Sequence, residues 1–248
     1  MVWLKLDRAN RHIGSLDEGI KAFLAEDAAG PLVYEDDQAK QALTDTQIHR
    51  VVPMHLSVTA GEVLYQLRSA LDHMACILIQ KGGGTLSDQS QFPIERFRPT
   101  KREDIRRYER KIRGMSPEDA AGVEQYQPYR LGDKRDQHFL VILKTLNNLD
   151  KHRGLVLHTV RVRTNVHVTL GPAGAAQGSE HEGHEPTRLT LTAGGLSNEV
   201  ELVKMERHLT PFVAFSALTG RDDIPVLDTL VSVSFNVRQT IMALGKFL

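Results

Sequence analysis

The chain has 248 residues, 41% hydrophobic and 25% charged, with 31 basic side chains balancing 31 acidic ones. At that length roughly 70–75% of the unfolded surface is buried on folding, so a core forms without a disulfide or metal staple. A formal net charge of zero excludes attraction to nucleic acid or anionic lipid by the overall field and leaves only local patches for such binding.

Met1-Val2-Trp3-Leu4-Lys5-Leu6-Asp7-Arg8 is charged from its first turns. It lacks the apolar core of a secretory signal, which predicts a cytoplasmic protein. Ile13, Leu16, Ile20, Phe23 and Leu24 form a helical stripe over 6–25, ended by Gly30-Pro31. Leu32-Val33-Tyr34 and Gln47 to Val52 read as the two strands of a small hairpin.

Pro53 opens a long helix closed by Gly82-Gly83-Gly84. Its Leu64, Leu67, Leu71, Met74 and Leu78 alternate three and four apart, the seam of a bundle core. The lone cysteine, Cys76, excludes an internal disulfide and points to a reducing compartment. Phe92-Pro93-Ile94 is a short extended piece. Lys101 to Arg113 is a charged helix, and Ser116-Pro117-Glu118 starts another with Ser as N-cap and Pro at N1.

Asp136 to Arg153 is the next helix, with Gly154 as its cap. The period then becomes two: Val156 to Leu170 alternates as a long half-buried strand. Leu189-Thr190-Leu191, Val200 to Val203 and Leu209 to Ala217 add shorter strands of an antiparallel meander, with residues 171–186 as a long hairpin loop. Pro225 opens a final amphipathic helix to Leu248. No run is long and apolar enough to span a bilayer. The expectation is one α+β domain over 1–248. Residues 1–153 make a helical, bundle-like half with a small β-hairpin, and 154–248 an antiparallel sheet closed by the C-terminal helix.

Polar residues concentrate at two places. In Arg68-Ser69-Ala70-Leu71-Asp72-His73, Arg68 lies about 60° and Asp72 about 100° from Leu71 on a helical wheel, and His73 about 200°. Arg68 and Asp72 therefore flank the buried seam as an ion pair four residues apart, while His73 faces away. In Leu146-Asn147-Asn148-Leu149-Asp150-Lys151-His152-Arg153, Asp150 and Arg153 fall within about 60° of Leu146 and continue the apolar stripe. Charges there are paired or line a cavity. Either Asp150 and Arg153 close onto each other, or Arg153 and Lys151 complement the negative end of the helix, or Asp150 and Arg153 meet Arg68 and Asp72 across the bundle, with His73 or His152 at the mouth of a composite site.

Residues 95–113 carry five more basic than acidic side chains. Arg102, Arg106, Arg107, Arg110 and Arg113 either form a phosphate-backbone patch able to hold RNA or a solvated helix laced by pairs such as Glu103–Arg107 and Glu109–Arg113. His181-Glu182-Gly183-His184-Glu185 has metal-ligand residue types, but in a Gly-rich loop without rigid support, so no metal or other cofactor is expected.

Gly61 to His73, followed by Leu146 to Arg153, resembles a group of uncharacterised bacterial proteins carrying these paired signatures. Arg68, four residues, then His73 is more remotely similar to the arginine–histidine motif of HEPN-type ribonucleases of bacterial toxin and antiphage systems. That resemblance implies a helical bundle whose motifs meet across a homodimer to cut RNA without metal. His73 would then be the general acid/base and Arg68 the cation stabilising the phosphate, with Asp72 beside them as a third catalytic candidate. Ser69 and the C-terminal sheet depart from that pattern. Two functions follow: a metal-independent endoribonuclease, or a non-catalytic binding or interaction protein in which the Arg/Asp/His motifs are a structural polar network.

Overall fold

The computed structural model describes residues 1–25, 32–33, 51–172, 188–193, 196–215 and 224–245. They are mostly helical, with six α-helices, one 3-10 stretch and an antiparallel sheet. The chain divides into two compact units, one of residues 1–22, 52–158 and 213–248 and one of 23–51 and 159–212.

The helices belong to the first unit. They are α1 (Val2–Ala25), α2 (Met54–Lys81), α3 (Arg102–Lys111), α4 (Pro117–Gln125), α5 (Phe139–Arg153) and α6 (Val226–Gly245). The centre is α2, whose 28 residues make a rod about 42 Å long. The expected seam is its buried face: Leu64, Leu67, Leu71 and Leu78 have no exposed surface and Met74 is 1% exposed. That face packs against α5 and α6, which also touch each other. Leu140, Leu143 and Leu146 of α5 and Leu230, Val233, Val237 and Ile241 of α6 supply the facing layer. Burying one such leucine is worth roughly 1.5–3 kcal/mol.

Two small features set close approaches. A Cβ on Gly61 would lie 2.5 Å from a carboxylate oxygen of Asp150, so a larger residue there would push the Asp150 carboxylate aside. Gly114, with φ of 96°, backs directly onto Gly84 and turns the chain from α3 towards α4. At α4 the expected cap is present: the Asp119 amide donates to Ser116 Oγ at 3.1 Å, with Pro117 in the first turn.

The helix expected from Asp136 instead starts at Phe139. Residues Pro128–Gln137 wind as 3-10 turns interrupted at Gly132, whose φ is 56°. His138 is extended, and its Nδ1 accepts the Leu140 amide at 3.2 Å as the N-cap. The apolar period begins only after this cap, so the polar residues before it could not propagate the α-helix.

β4 (Leu196–Phe215) is the spine of the second unit up to Phe212, and its last three residues belong to the first. The shorter strands expected at 200–203 and 209–217 are, as far as Phe215, parts of this one continuous strand, and residues 216–217 lie outside the described residues. Partners on successive stretches keep it extended through its charged middle. β3 (Arg188–Ala193) pairs antiparallel from Arg188↔Glu201 to Ala193↔Leu196. β1 (Leu32–Val33) pairs at Leu32↔Arg207, and β2 (Leu157–Pro172) is another neighbour of β4. In the first unit, β5 (Ile224–Pro225) joins the far end of β4 at Ala214↔Pro225 and leads into α6. The described part of the expected hairpin thus takes β4 as its partner. Residues 34–50, which hold most of the second hairpin strand, lie outside the described residues, as do 173–187 with the His181–Glu185 segment and the last three residues expected in α6. Among the described residues no helix is long and apolar enough to cross a membrane.

Candidate functional site

The site grows from an irregular segment. Residues 91–95 run past α2 without helix or strand partners, yet Phe92 has no exposed surface and Ile94 only 2%. Buried peptide groups need hydrogen bonds, and side chains of the surrounding elements provide them. Arg68 holds Asp72 with a two-pronged contact, Nη2 to Oδ1 at 2.6 Å and Nε to Oδ2 at 3.1 Å. The same Nη2 donates to the Phe92 carbonyl at 2.8 Å and to Gln91 Oε1 at 3.2 Å. Asp72 Oδ1 accepts the Phe92 amide at 2.9 Å. Both peptide groups of Phe92 are therefore taken by one ion pair.

The rest of the segment is held in the same way. The Gln127 side chain, 1% exposed, donates to the Pro93 carbonyl at 2.9 Å and accepts the Glu95 amide at 3.0 Å. Lys144 Nζ donates to the Ile94 carbonyl at 3.0 Å, and the Gln91 amide donates to the Lys111 carbonyl at 3.3 Å. Burial pushes the Asp72 carboxyl up. The Arg68 guanidinium, the Phe92 amide and Lys151 pull it back.

Above this clamp lies a recess of about 140 Å³ lined by Arg68, Gln91, Phe92, Ile94, Lys111, Lys144, Asn147, Asn148 and Lys151. Four of those side chains are cationic and none is a carboxylate. Arg68 is neutralised by Asp72, and Lys111 by Glu95 at 2.6 Å. Among the described residues Lys144 and Lys151 make no direct ion pair, although Glu95 acts on Lys144, and Lys151 acts on Asp72 and Asp150, through space. Lys144 turns its ammonium inward onto Ile94, and burial pushes its pKa down, opposed by Glu95 and reinforced by Lys111, Arg68 and Arg107. Asn147 is 3% exposed, and its Oδ1 is buried without a hydrogen-bond partner. An unpaired buried amide oxygen costs about 1–3 kcal/mol.

The two sequence motifs do converge, but through a different set of residues than the charges first singled out. Arg68 of α2 and Asn147 of α5 line one recess. Asp150 lies lower, with its carboxylate against Gly61, about two helical turns from Arg68. Burial raises its pKa and Lys151 lowers it. Among the described residues it makes no ion pair with Arg153 or Arg68. His152 and Arg153 are exposed. His73 is half-buried and is not part of the recess lining. Asp72 serves the clamp beneath it. Cys76 sits with Sγ 4.0 Å from the Ser90 carbonyl, and burial, then Asp72, push its thiol pKa up, away from reactivity.

The basic segment is α3, which has no buried residue. Arg102, Arg106, Arg107 and Arg110 are exposed along it, and Arg113, expected in this helix, is exposed in the turn beyond its end at Lys111. The expected Glu103–Arg107 pair is replaced by Arg107–Asp104, one residue closer. From this segment it is Lys111, not an arginine, that reaches the recess.

A second hollow of about 530 Å³ lies between the start of α5 and α6, with His138, Phe139, Asp228, Ser232 and Asn236 in its wall. His138 stacks on Phe139 at 4.6 Å. Burial pushes its pKa down to about 4, so at neutral pH it is an uncharged cap.

Sequence reasoning missed the recess because most of its wall comes from segments distant in the chain. One local signal was available. Lys144, Asn147, Asn148 and Lys151 recur at spacings of three, one and three, a polar face on a helix whose other face is leucine. The chain matches no family model, no curated protein and no solved structure.

Proposed function

We propose that this chain is a non-catalytic binding protein in which Arg68 and Asp72 form a structural clamp and the end of α5 presents the binding surface. One observation carries the reading: the ion pair holds both peptide groups of Phe92. A guanidinium with its Nη2 shared among Asp72, Gln91 and Phe92 and its Nε on Asp72 is committed to the fold. His73 stands apart from the recess, whereas acid–base catalysis needs the proton carrier within hydrogen-bond reach of the reacting group. The segment 91–95, fixed from α2, α5 and Gln127, gives the recess a preformed wall, which limits the ordering cost of binding.

The test sets this reading against the metal-independent ribonuclease. Purified protein and His73→Ala are incubated with RNA in EDTA. No cleavage above buffer by either is expected. Cleavage by the wild type that His73→Ala abolishes would overturn the binding reading and establish the ribonuclease.

A further inference from the structure

A helix on the surface of a globular protein carries one apolar stripe towards the core and polar residues opposite it. The last helix, α6, departs from this pattern. Leu230, Val233, Val237, Ile241 and Leu244 fill its buried face. Away from that face Val231, Phe235 and Met242 are between 45% and 60% exposed. At 100° per residue these three, with Asp228 before them and Arg238 between, fall within an arc of about 80°. Asp228 and Arg238 make no ion pair among the described residues. Arg238 lies over the ring of Trp3 at 5.9 Å, and Trp3, half exposed, carries the face onto α1. Val231, Phe235, Met242 and Trp3 together expose on the order of 500 Å² of mostly apolar surface, more than half of the roughly 800 Å² that a stable dimer covers on each partner.

The order of residues along the arc says which partner fits. Asp228 and Arg238 are placed symmetrically about position 233, and so are Val231 and Phe235, and Ile224 of β5 and Met242. Two antiparallel helices face each other residue for residue across such a centre, and a two-fold contact requires that residue i meet j while j meets i. This face meets that requirement against itself: acid falls opposite base, and apolar side chain opposite apolar side chain. We infer that α6 is the interface of a two-fold homodimer, with two copies of the helix antiparallel, Asp228 of one copy facing Arg238 of the other and Val231 facing Phe235. None of these residues belongs to the recess or to the clamp beneath it, so the dimer and the binding reading stand or fall separately.

Analytical ultracentrifugation of the full chain over the micromolar range is expected to give a dimer. Phe235→Glu sets a carboxylate at the apolar centre of the contact and gives a monomer. Asp228→Arg and Arg238→Asp each bring like charges face to face twice per dimer, which weakens association by about a hundredfold. Mixed in equal amounts, these two variants regain the dimer, because one chain then offers arginine at both positions and the other aspartate at both. All three positions are exposed, and circular dichroism of each variant alone checks that the helices are intact. A wild type that stays monomeric throughout the range overturns the inference and leaves the face to a different protein. A dimer that survives Phe235→Glu overturns it in favour of another surface. Single reversals that associate like the wild type, or a mixture that gains nothing over them, overturn the antiparallel pairing.

Discussion

The middle of α2 and the end of α5 carry similar densities of charge beside an apolar stripe, and the fold treats them oppositely. On α2, Arg68 and Asp72 close onto each other and onto the backbone of Phe92. On α5, Asp150 rests on Gly61 and Lys151 acts on it only through space, without a direct ion pair among the described residues, and Asn147 keeps an unpaired oxygen. The difference comes from what each helix faces. The Arg68–Asp72 pair meets an irregular segment whose peptide groups require partners, and it supplies them. The end of α5 meets α2 at a glycine and the wall of a recess, which supply none. A motif rich in charge is thus tied into the fold where backbone needs it and left without direct partners where backbone does not.

Four measurements break or sharpen this contrast. The largest effect belongs to the closed region. Asp72→Ala leaves Arg68, 14% exposed, without its partner and frees the Phe92 amide, costing about 3 kcal/mol. In a chain of this size that lowers the melting temperature by about 6–12 °C. A loss under about 1 kcal/mol would place the Arg68–Asp72 pair among surface ion pairs and erase the contrast.

The second concerns the other end of α5. His138 has its folded pKa pushed below the ordinary 6.5 to about 4. The unfolded chain therefore takes up the proton first as pH falls. Stability from this residue is complete above pH 6.5 and is lost as pH drops towards 4, by about 2 kcal/mol once solvent screening is allowed for. Melting of wild type and His138→Asn between those values should diverge accordingly. Asn also caps a helix and does not titrate, so parallel profiles would contradict the assignment.

The third falls in the open region and has the opposite sign. Burial raises the Asp150 pKa, so its contribution is present below the unfolded value of 3.8 and is lost as pH rises through the folded value. At neutral pH Asp150→Asn should stabilise the protein slightly, by about 0.5 kcal/mol, with no gain in acid. Chemical denaturation at the two pH values measures it, and destabilisation at neutral pH would mean that Asp150 is paired after all. The smallest effect is His73→Ala, expected within about 0.5 kcal/mol of wild type. A large loss would make His73 part of the closed network.

Much of the helical unit was legible from period alone. The seam of α2, the Ser116 cap of α4 and the flanking positions of Arg68 and Asp72 follow from local spacing, which is decided within a few turns. The N-terminus of α5 was misplaced because the 3-10 turns at Pro128–Gln137 carry no apolar period of their own. The unity of β4 was hidden because its charged middle, Lys204 to His208, reads as a break, and only pairing with distant strands holds it extended. The candidate site was half legible. Arg68 stood out beside the α2 seam, and Asn147 lay in the second motif, where attention fell on Asp150 and Arg153. The Phe92 backbone, Lys111 and Gln127 were not readable, because nothing local states which loop a side chain will serve.

The central claim is that one ion pair holds both peptide groups of Phe92. Hydrogen exchange at the Phe92 amide tests it most directly. It is expected to be slow in the wild type and fast in Asp72→Ala, while amides in the middle of α2 stay slow in both. A Phe92 amide that exchanges as freely as an exposed loop residue in the wild type would contradict the clamp.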